Sequence, residues 1–371
     1  MKKLYTLAIL FTVAIGFSQN VTNSTESTQE IQAIPVGYYN NATGTGYTLK
    51  TQLYNIISTH TTISYSPGLW NLYPSSDAKS DGKVWDIYSN CNFTFGTGSG
   101  GNQDQGSGGT SECQFFNREH TFPKSWFNDA SPMYSDAFHV MPTDKKVNGN
   151  RGNFAYGIVG TATYTSTNGS KIGNNVAPNG PSLTVFEPAA EFKGDIARNY
   201  FYMATCYQNL IAGWKNNNAN GAAFLDGTNT KVFEQWSLDM LYSWHVADPV
   251  SAKEISRNDA IYAVQGNRNP FIDHPEYVQI IWGAALSAPS FDLLASVTVY
   301  PNPSNTHRIN IDTEIVLDEI QLININGQLM QEIKNPNVQG KTYTVENLPS
   351  GFYFLKLTSD NQSTTKKVII N

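Results

Sequence analysis

The sequence predicts an α+β fold, a mixed domain of strands and helices followed by a small C-terminal β-sandwich. Three observations carry this. Between Phe116 and Gly157, two strand-like runs lead directly into a helix start. From Glu191 to Gln265, apolar residues recur at helical spacing. After Ala285 the composition changes to short alternating runs broken by turn residues. The 371 residues suffice for two domains. A hydrophobic content of 40% and an aromatic content of 12% support a packed core.

The chain opens with Lys2 and Lys3, then an apolar run from Leu4 to Phe17 ending in small residues. This predicts a secretory signal peptide over residues 1–18, too short and wrongly flanked for a membrane anchor. Residues 19–33 are polar and predict a flexible leader, and globular sequence starts at Ile34. No later stretch reaches ~20 apolar residues, so no membrane span is expected.

Tyr47 to Tyr65 places Leu49, Leu53, Ile56 and Ile57 at helical spacing. Ser80 to Ser89, SDGKVWDIYS, predicts a strand entered from a turn. Gly96 to Thr110 is glycine-rich but lacks the Lys-Ser/Thr ending of a phosphate-cradling loop, so it predicts a surface loop. Glu191 to Leu210 predicts an amphipathic helix with Ile196, Tyr200, Met203 and Tyr207 on one face. Phe233 to Gln265 predicts two helices separated at Asp248-Pro249. Residues 286–295 form a short linker. Residues 296–371 then hold about seven short β-type runs, with turns at Pro301-Asn302-Pro303, Asn326-Gly327, Gln339-Gly340 and Pro349-Ser350-Gly351.

The cysteines are Cys91, Cys113 and Cys206. An exported chain can form disulfides. Cys91 and Cys113 flank the glycine-rich loop and are the candidate pair, with three buried thiols as the alternative. No pair has zinc-ligand spacing. The net charge is −6. Setting aside the tail's six basic and eight acidic residues and the two leader lysines, the middle keeps 16 basic and 22 acidic residues. That balance counts against a nonspecific nucleic-acid binder, which needs cations for phosphate, unless a basic cleft exists locally.

The densest chemistry runs from Phe116 to Gly157: FNREHTFPKSWF, then SDAFHVMPTDKKVNGNRGNFAYG. A strand ends at Glu119-His120, a second strand spans about Asp136 to Met141, and Thr143 caps a helix carrying Asn148. Strand, strand and helix can bring a carboxylate, an imidazole and an amide oxygen into one cleft. Phosphodiester hydrolysis needs a nucleophilic water and a charge sink. A hard cation, Mg²⁺ first and Ca²⁺ or Mn²⁺ as alternatives, prefers oxygen ligands such as Glu119 and Asn148. His120, with an ordinary pKa near ~6.5, suits a general base.

Asn117-Arg118-Glu119-His120, with Pro123 and Ser125, resembles the signature of the endonuclease I family, whose fold contains a ββα-metal motif. Asp136, His139, Pro142, Val147-Asn148 and Arg151-Gly152-Asn153 resemble its second block. Lys193 to Arg198 with Tyr202-Met203, and Gln265 to Asp273, resemble two more. The resemblance implies a ββα-metal nuclease core with surrounding helices over residues 34–285. It implies Glu119 and Asn148 as metal ligands, His120 as base, and hydrolysis of DNA and RNA without strict sequence preference, leaving 5′-phosphate ends. Family members carry an arginine between the histidine and the asparagine. This interval holds only Lys124, Lys145 and Lys146, so Arg118, Arg151 or Arg198 is left to supply the charge. The tail, through Tyr300-Pro301-Asn302-Pro303, Ile325-Asn326-Gly327-Gln328, Leu348 to Tyr353 and Lys366-Lys367-Val368, resembles the sorting domain of type IX secretion cargo. That implies secretion machinery as a partner and export across the outer membrane, with the product released or held on the surface.

Blander roles compete at several positions. His139 is a second ligand or a structural partner, and Asp136 orients a metal water or makes a turn. Arg151 and Asn153 anchor a loop or grip phosphate. Arg198 pairs with Asp195 on one helix or reaches nucleic acid. A phosphodiesterase acting on another diester, and a non-catalytic surface adhesin, are the rival functions.

Overall fold

The structure, a computed structural model, describes residues 34–286, 297–359 and 362–371. The expected signal peptide and leader, and the expected linker beyond Leu286, lie outside the described residues. The chain divides into two compact units after Leu286.

Helix α1 (Gly46–Ile57) buries Leu49, Leu53 and Ile57 along one stripe. It ends earlier than the Tyr47–Tyr65 pattern suggested, because the Thr61 N–H bonds the distant Gln265 carbonyl at 2.8 Å instead of continuing the helix. Helix α2 (Gly68–Ser76) follows. Ser80 to Ser89 forms no regular strand, only isolated pairings of Val84 with Ala78 and of Lys83 with Thr94. The Asp86 carboxylate accepts from the Tyr88 N–H at 2.8 Å, and this local turn breaks the extended backbone.

Strand β1 (Phe116–His120) pairs antiparallel with β2 (Val140–Asp144), Phe116 opposite Asp144 and His120 opposite Val140. Helix α3 (Lys145–Arg151) starts at once. The second strand begins four residues later than expected. The Asp136 side chain accepts from the Phe138 N–H at 3.0 Å and its carbonyl from the Val140 N–H, so residues 136–139 form a turn. Thr143 stays in β2 opposite Asn117, and Asp144 caps α3 instead, with Oδ1 accepting from Lys146 and Val147 at 2.7 and 3.1 Å. A carboxylate satisfies two of the free helix N–H groups as well as a hydroxyl would one.

Strands β3 (Val159–Thr165), β4 (Lys171–Asn175) and β5 (Thr184–Glu187) form an antiparallel sheet in that order. Helix α4 (Lys193–Cys206) is buried from Gly194 to Cys206. It is a central helix, covered on every face and not only on the one the sequence marks as apolar. Helices α1 and α6 pack on it, and its charged groups are matched by Glu254 and Lys253. Around it lie α5 (Ala219–Phe224), α6 (Gln235–Ala247), α7 (Ala252–Gln265), α8 (Pro270–Asp273) and α9 (Tyr277–Leu286). The α6–α7 break falls at Asp248-Pro249 as the sequence indicates, and Ser251 with Glu254 forms a capping box that starts α7.

Cys91 and Cys113 are disulfide-bonded, and Cys206 is a buried free thiol. The bond closes a loop with a sequence separation of 22. Replacing both cysteines by serine is expected to destabilise the unit by about 3 kcal/mol on the chain-entropy account. Calorimetry should then read a fall in Tm of roughly 6–12 °C. An unchanged Tm would show that the loop is already ordered without the bond.

The second unit is a β-sandwich. Strands β6 (Thr298–Tyr300), β7 (Ile309–Asp312) and β10 (Thr342–Val345) form one antiparallel sheet. Strands β8 (Glu319–Asn324), β9 (Leu329–Lys334), β11 (Gly351–Ser359) and β12 (Gln362–Ile370) form the other. Alternate residues meet in one core, with Ile309 and Ile311 against Leu322, Leu355, Leu357 and Val368. The β8–β9 turn uses Gly327 at φ 80°, and Asn324 Oδ1 accepts from Asn326 and Gln328 N–H.

Candidate active site

The alternation of β1 sorts four consecutive residues. Asn117 and Glu119 point toward α3, while Arg118 and His120 meet Tyr65 on the other side. On α3, Asn148 and Arg151 are three apart and share the helix face that lies over β1. Glu119, His120 and Asn148 thereby line one cavity of about 600 Å³, together with Arg118, Lys124 and Asn153.

Glu119 is 3% exposed. Its Oε1 accepts from the Tyr88 hydroxyl at 2.8 Å and from Arg151 Nη1 at 2.6 Å. Burial pushes its pKa up, against the pull of Arg151 and Tyr88. Asn148 Nδ2 donates to Asn117 Oδ1 at 2.8 Å, which fixes the amide orientation and turns Oδ1 away as a free acceptor. His120 is held by Nε2 against the Tyr134 carbonyl at 2.9 Å. A carbonyl only accepts, so Nε2 carries the proton and Nδ1 keeps the lone pair. Burial first, and then His139, push the His120 pKa down to about 3, so the ring is neutral at physiological pH.

Several expected site residues lie elsewhere. Arg151 is not among the residues lining the cavity. It is wholly buried, donating to Glu119, to the His120 carbonyl at 2.9 Å and to the Thr121 carbonyl at 2.9 Å. It fixes the end of β1 rather than facing solvent. Arg198 is buried and paired away from the cavity. Its guanidinium is engaged bidentately by Glu254 at 2.5 and 2.8 Å and by the Asp248 carbonyl at 2.9 Å, with Asp195 farther off at 3.7 Å. Asp136 is not beside the cavity. It accepts from Tyr202, Tyr207 and Gln265, and burial, which alone would raise its pKa, is outweighed by His60, His139 and the Tyr207 hydroxyl. His139 is a structural partner, with Nε2 on the Met133 carbonyl at 2.7 Å and its ring 5.6 Å from that of His120. Asn153 does line the cavity, tied to Ser125 and Asn220.

Tyr88, Tyr156, Tyr65 and Tyr134 are the supports that sequence reasoning missed. Tyr88 and Tyr156 hydroxyls meet at 2.6 Å behind Glu119, while Tyr65 stacks on His120. No local signal marks a tyrosine whose partner is 31 residues away. Asn117 was findable, because it sits two residues before Glu119 on the same strand face.

The donor set fits a hard divalent cation. It offers one carboxylate oxygen, one amide oxygen and an open cavity, the arrangement in which Mg²⁺ keeps part of its water shell. Cys91, Cys113 and Asp144 also cluster, but the two sulfurs are bonded to each other and do not form a metal site.

Residues 45–276 match the endonuclease I family, and residues 298–371 match the secretion system C-terminal sorting domain. The extracellular ribonuclease of Bacillus subtilis (strain 168) is 34% identical over 256 residues, covering 66% of this chain and 78% of that protein. That of Bacillus amyloliquefaciens is 34% identical over 255 residues, with the same coverage of 66% and 78%. Endonuclease-1 of Buchnera aphidicola subsp. Acyrthosiphon pisum (strain APS) is 28% identical over 145 residues, covering 37% of this chain and 44% of that protein. Among the described residues no helix is long and apolar enough to cross a membrane. The tail directs secretion or cell-surface attachment. The chain belongs to the endonuclease I family and is a secreted nuclease carrying a C-terminal type IX sorting domain.

Proposed function

We propose that this nuclease is a divalent-cation-dependent endonuclease that hydrolyses DNA and RNA without strict sequence preference and leaves 5′-phosphate ends. The observation that carries the reading is the cavity that Glu119, His120 and Asn148 line together. The ribonuclease and endonuclease names of its relatives support nucleic acid, RNA included, as the substrate. Glu119 and Asn148 would hold the cation, Mg²⁺ being the best fit. When bound, it offsets charge on the phosphoryl and leaving oxygens.

His120 Nδ1 takes a proton from water, while the Tyr134 carbonyl holds Nε2–H and keeps the ring in the reactive tautomer. The water oxygen bonds to phosphorus, the bond to the 3′ oxygen breaks, and the departing oxygen is protonated from solvent. The phosphate stays on the 5′ side. Arg118 takes the place of the arginine missing between His120 and Asn148, since of the three candidate arginines it is the one lining the cavity. Contacts to phosphate rather than base edges account for sequence indifference.

The test is cleavage of supercoiled plasmid and of RNA by the full chain, with EDTA and with Mg²⁺, Mn²⁺ or Ca²⁺ restored. Loss in EDTA, recovery with metal, and fragments that ligate without prior phosphorylation are expected. Undiminished cleavage in EDTA would refute the cation. Activity on a small diester with none on plasmid or RNA would move the reading to a different substrate. Arg118→Ala is expected to lower kcat/KM about 10²-fold, the scale for losing one charge-stabilising donor. Arg118→Lys should recover little of it, because an ammonium cannot reproduce the planar fork. A fully active Arg118→Ala would remove Arg118 from this role.

A further inference from the structure

A second cavity adjoins the one that holds Glu119, and Arg118 is the wall between them. Its guanidinium lies 3.7 Å from the Tyr65 ring centroid and 4.3 Å from that of Trp70, and Nη1 donates to the Tyr65 carbonyl at 2.5 Å. Two rings and one hydrogen bond hold the partition in place. Beyond it the groove has a volume of about 1120 Å³. Trp70 and Phe95 give it aromatic surface, and Asn71, Gln103 and Gln105 give it neutral amides. Its one carboxylate, Asp104, is paired with Lys145 at 2.7 Å. Of its lining residues only Arg118 is cationic.

This lining is wrong for a phosphate backbone, which requires several cations. It is right for an unpaired nucleobase, which stacks on aromatic rings and exposes donors and acceptors that amides can meet. In a duplex those edges are paired and the faces are covered by neighbouring bases. We infer that the groove receives an unpaired nucleobase next to the scissile phosphate, so that single-stranded nucleic acid is the preferred substrate class. The inference rests on the hydrolytic reading of the adjoining cavity, and it adds what that reading leaves open, the strandedness of the substrate. Arg118 belongs to both cavities, which fixes the spacing from a base in the groove to a phosphate above Glu119 and His120.

The experiment measures kcat and KM of the full chain with Mg²⁺ on three substrates, a 20-mer single-stranded RNA, a 20-mer single-stranded DNA and the same DNA as a duplex. Wild type should favour the single strands by about 10-fold or more in kcat/KM, and the strand that shows the preference, RNA, DNA or both, names the source. Trp70→Ala should reduce the single-strand-to-duplex ratio by about 5- to 100-fold through KM, the scale of one base–aromatic stack. Trp70→Phe keeps a ring and should retain most of the ratio. Damage to Arg118 packing acts on every substrate and cancels in the ratio. Phe95→Ala, on the other wall, should lower the ratio independently. An active enzyme with a wild-type ratio at or below one overturns the inference and leaves the nuclease standing. So does a Trp70→Ala protein of unchanged Tm with an unchanged ratio. Silence on all three substrates overturns the proposed hydrolytic centre and the inference with it.

Discussion

Replacing His120 with alanine is expected to reduce the rate of plasmid nicking by about 10²- to 10⁴-fold, the range for removal of a positioned general base. The expectation follows from the tautomer. Nε2 is committed to the Tyr134 carbonyl, so Nδ1 is the nitrogen that can take a proton in the cavity shared with Glu119 and Asn148. The ring also packs against Tyr65, Phe127, Tyr134 and His139, so a loss of rate could come from lost packing. Added imidazole separates the two causes. It can fill the space left by the ring and restore proton transfer, whereas it cannot restore a misplaced strand. Partial rescue by imidazole, with a binding constant for plasmid close to wild type, is the expected outcome. Nicking by His120→Ala at the wild-type rate would remove the base from this position.

The second large effect is on stability. Arg151→Met is expected to destabilise the first unit by about 3–5 kcal/mol, because it leaves the Glu119 carboxylate buried without its counter-charge. The His120 and Thr121 carbonyls each lose the Arg151 donor in the same step, and Thr121 keeps the Tyr200 hydroxyl. For a unit of this size the fall in Tm should be roughly 6–20 °C. Combining it with Glu119→Gln should return part of the loss, since the uncompensated charge is then gone while the Tyr88 hydroxyl keeps an acceptor. Thermal unfolding of the two single variants and the double variant measures this coupling. Strict additivity would mean that Arg151 acts through packing and its two carbonyl bonds and does not hold the carboxylate.

Legibility in the sequence differed from one element to the next. The strand ending at Glu119-His120 was readable to its last residue, and so was the α6–α7 break at Asp248-Pro249. Both are written by neighbours in the chain, a strand alternation in one case and a helix-stopping proline in the other. The second strand was misplaced because Asp136 binds its own backbone two residues on, and apolar Phe138 and Val140 resemble strand residues whether or not the backbone is extended. Helix α4 was located correctly, with Ile196, Tyr200, Met203 and Tyr207 on one apolar face, but that its other faces are covered too was not legible. Its polar residues Asp195, Arg198 and Asn199 are covered in the fold by partners distant in the chain.

The sequence by itself determined which residue types could do hydrolytic chemistry, the order of helices and strands that carries them, and the sandwich at the end. These are properties of spacing and of turn residues, which act over a few positions. Only the tertiary structure decided which of the arginines faces the cavity. Arg151, Arg198 and Arg118 are chemically equal in the sequence. Their fates were set by Glu119, 32 residues before Arg151, by Glu254, 56 residues after Arg198, and by Tyr65, 53 residues before Arg118. A buried guanidinium must find acceptors wherever the fold supplies them. Once Glu119 and Glu254 had taken two of the three, Arg118, stacked between Tyr65 and Trp70, was left at the mouth of the site.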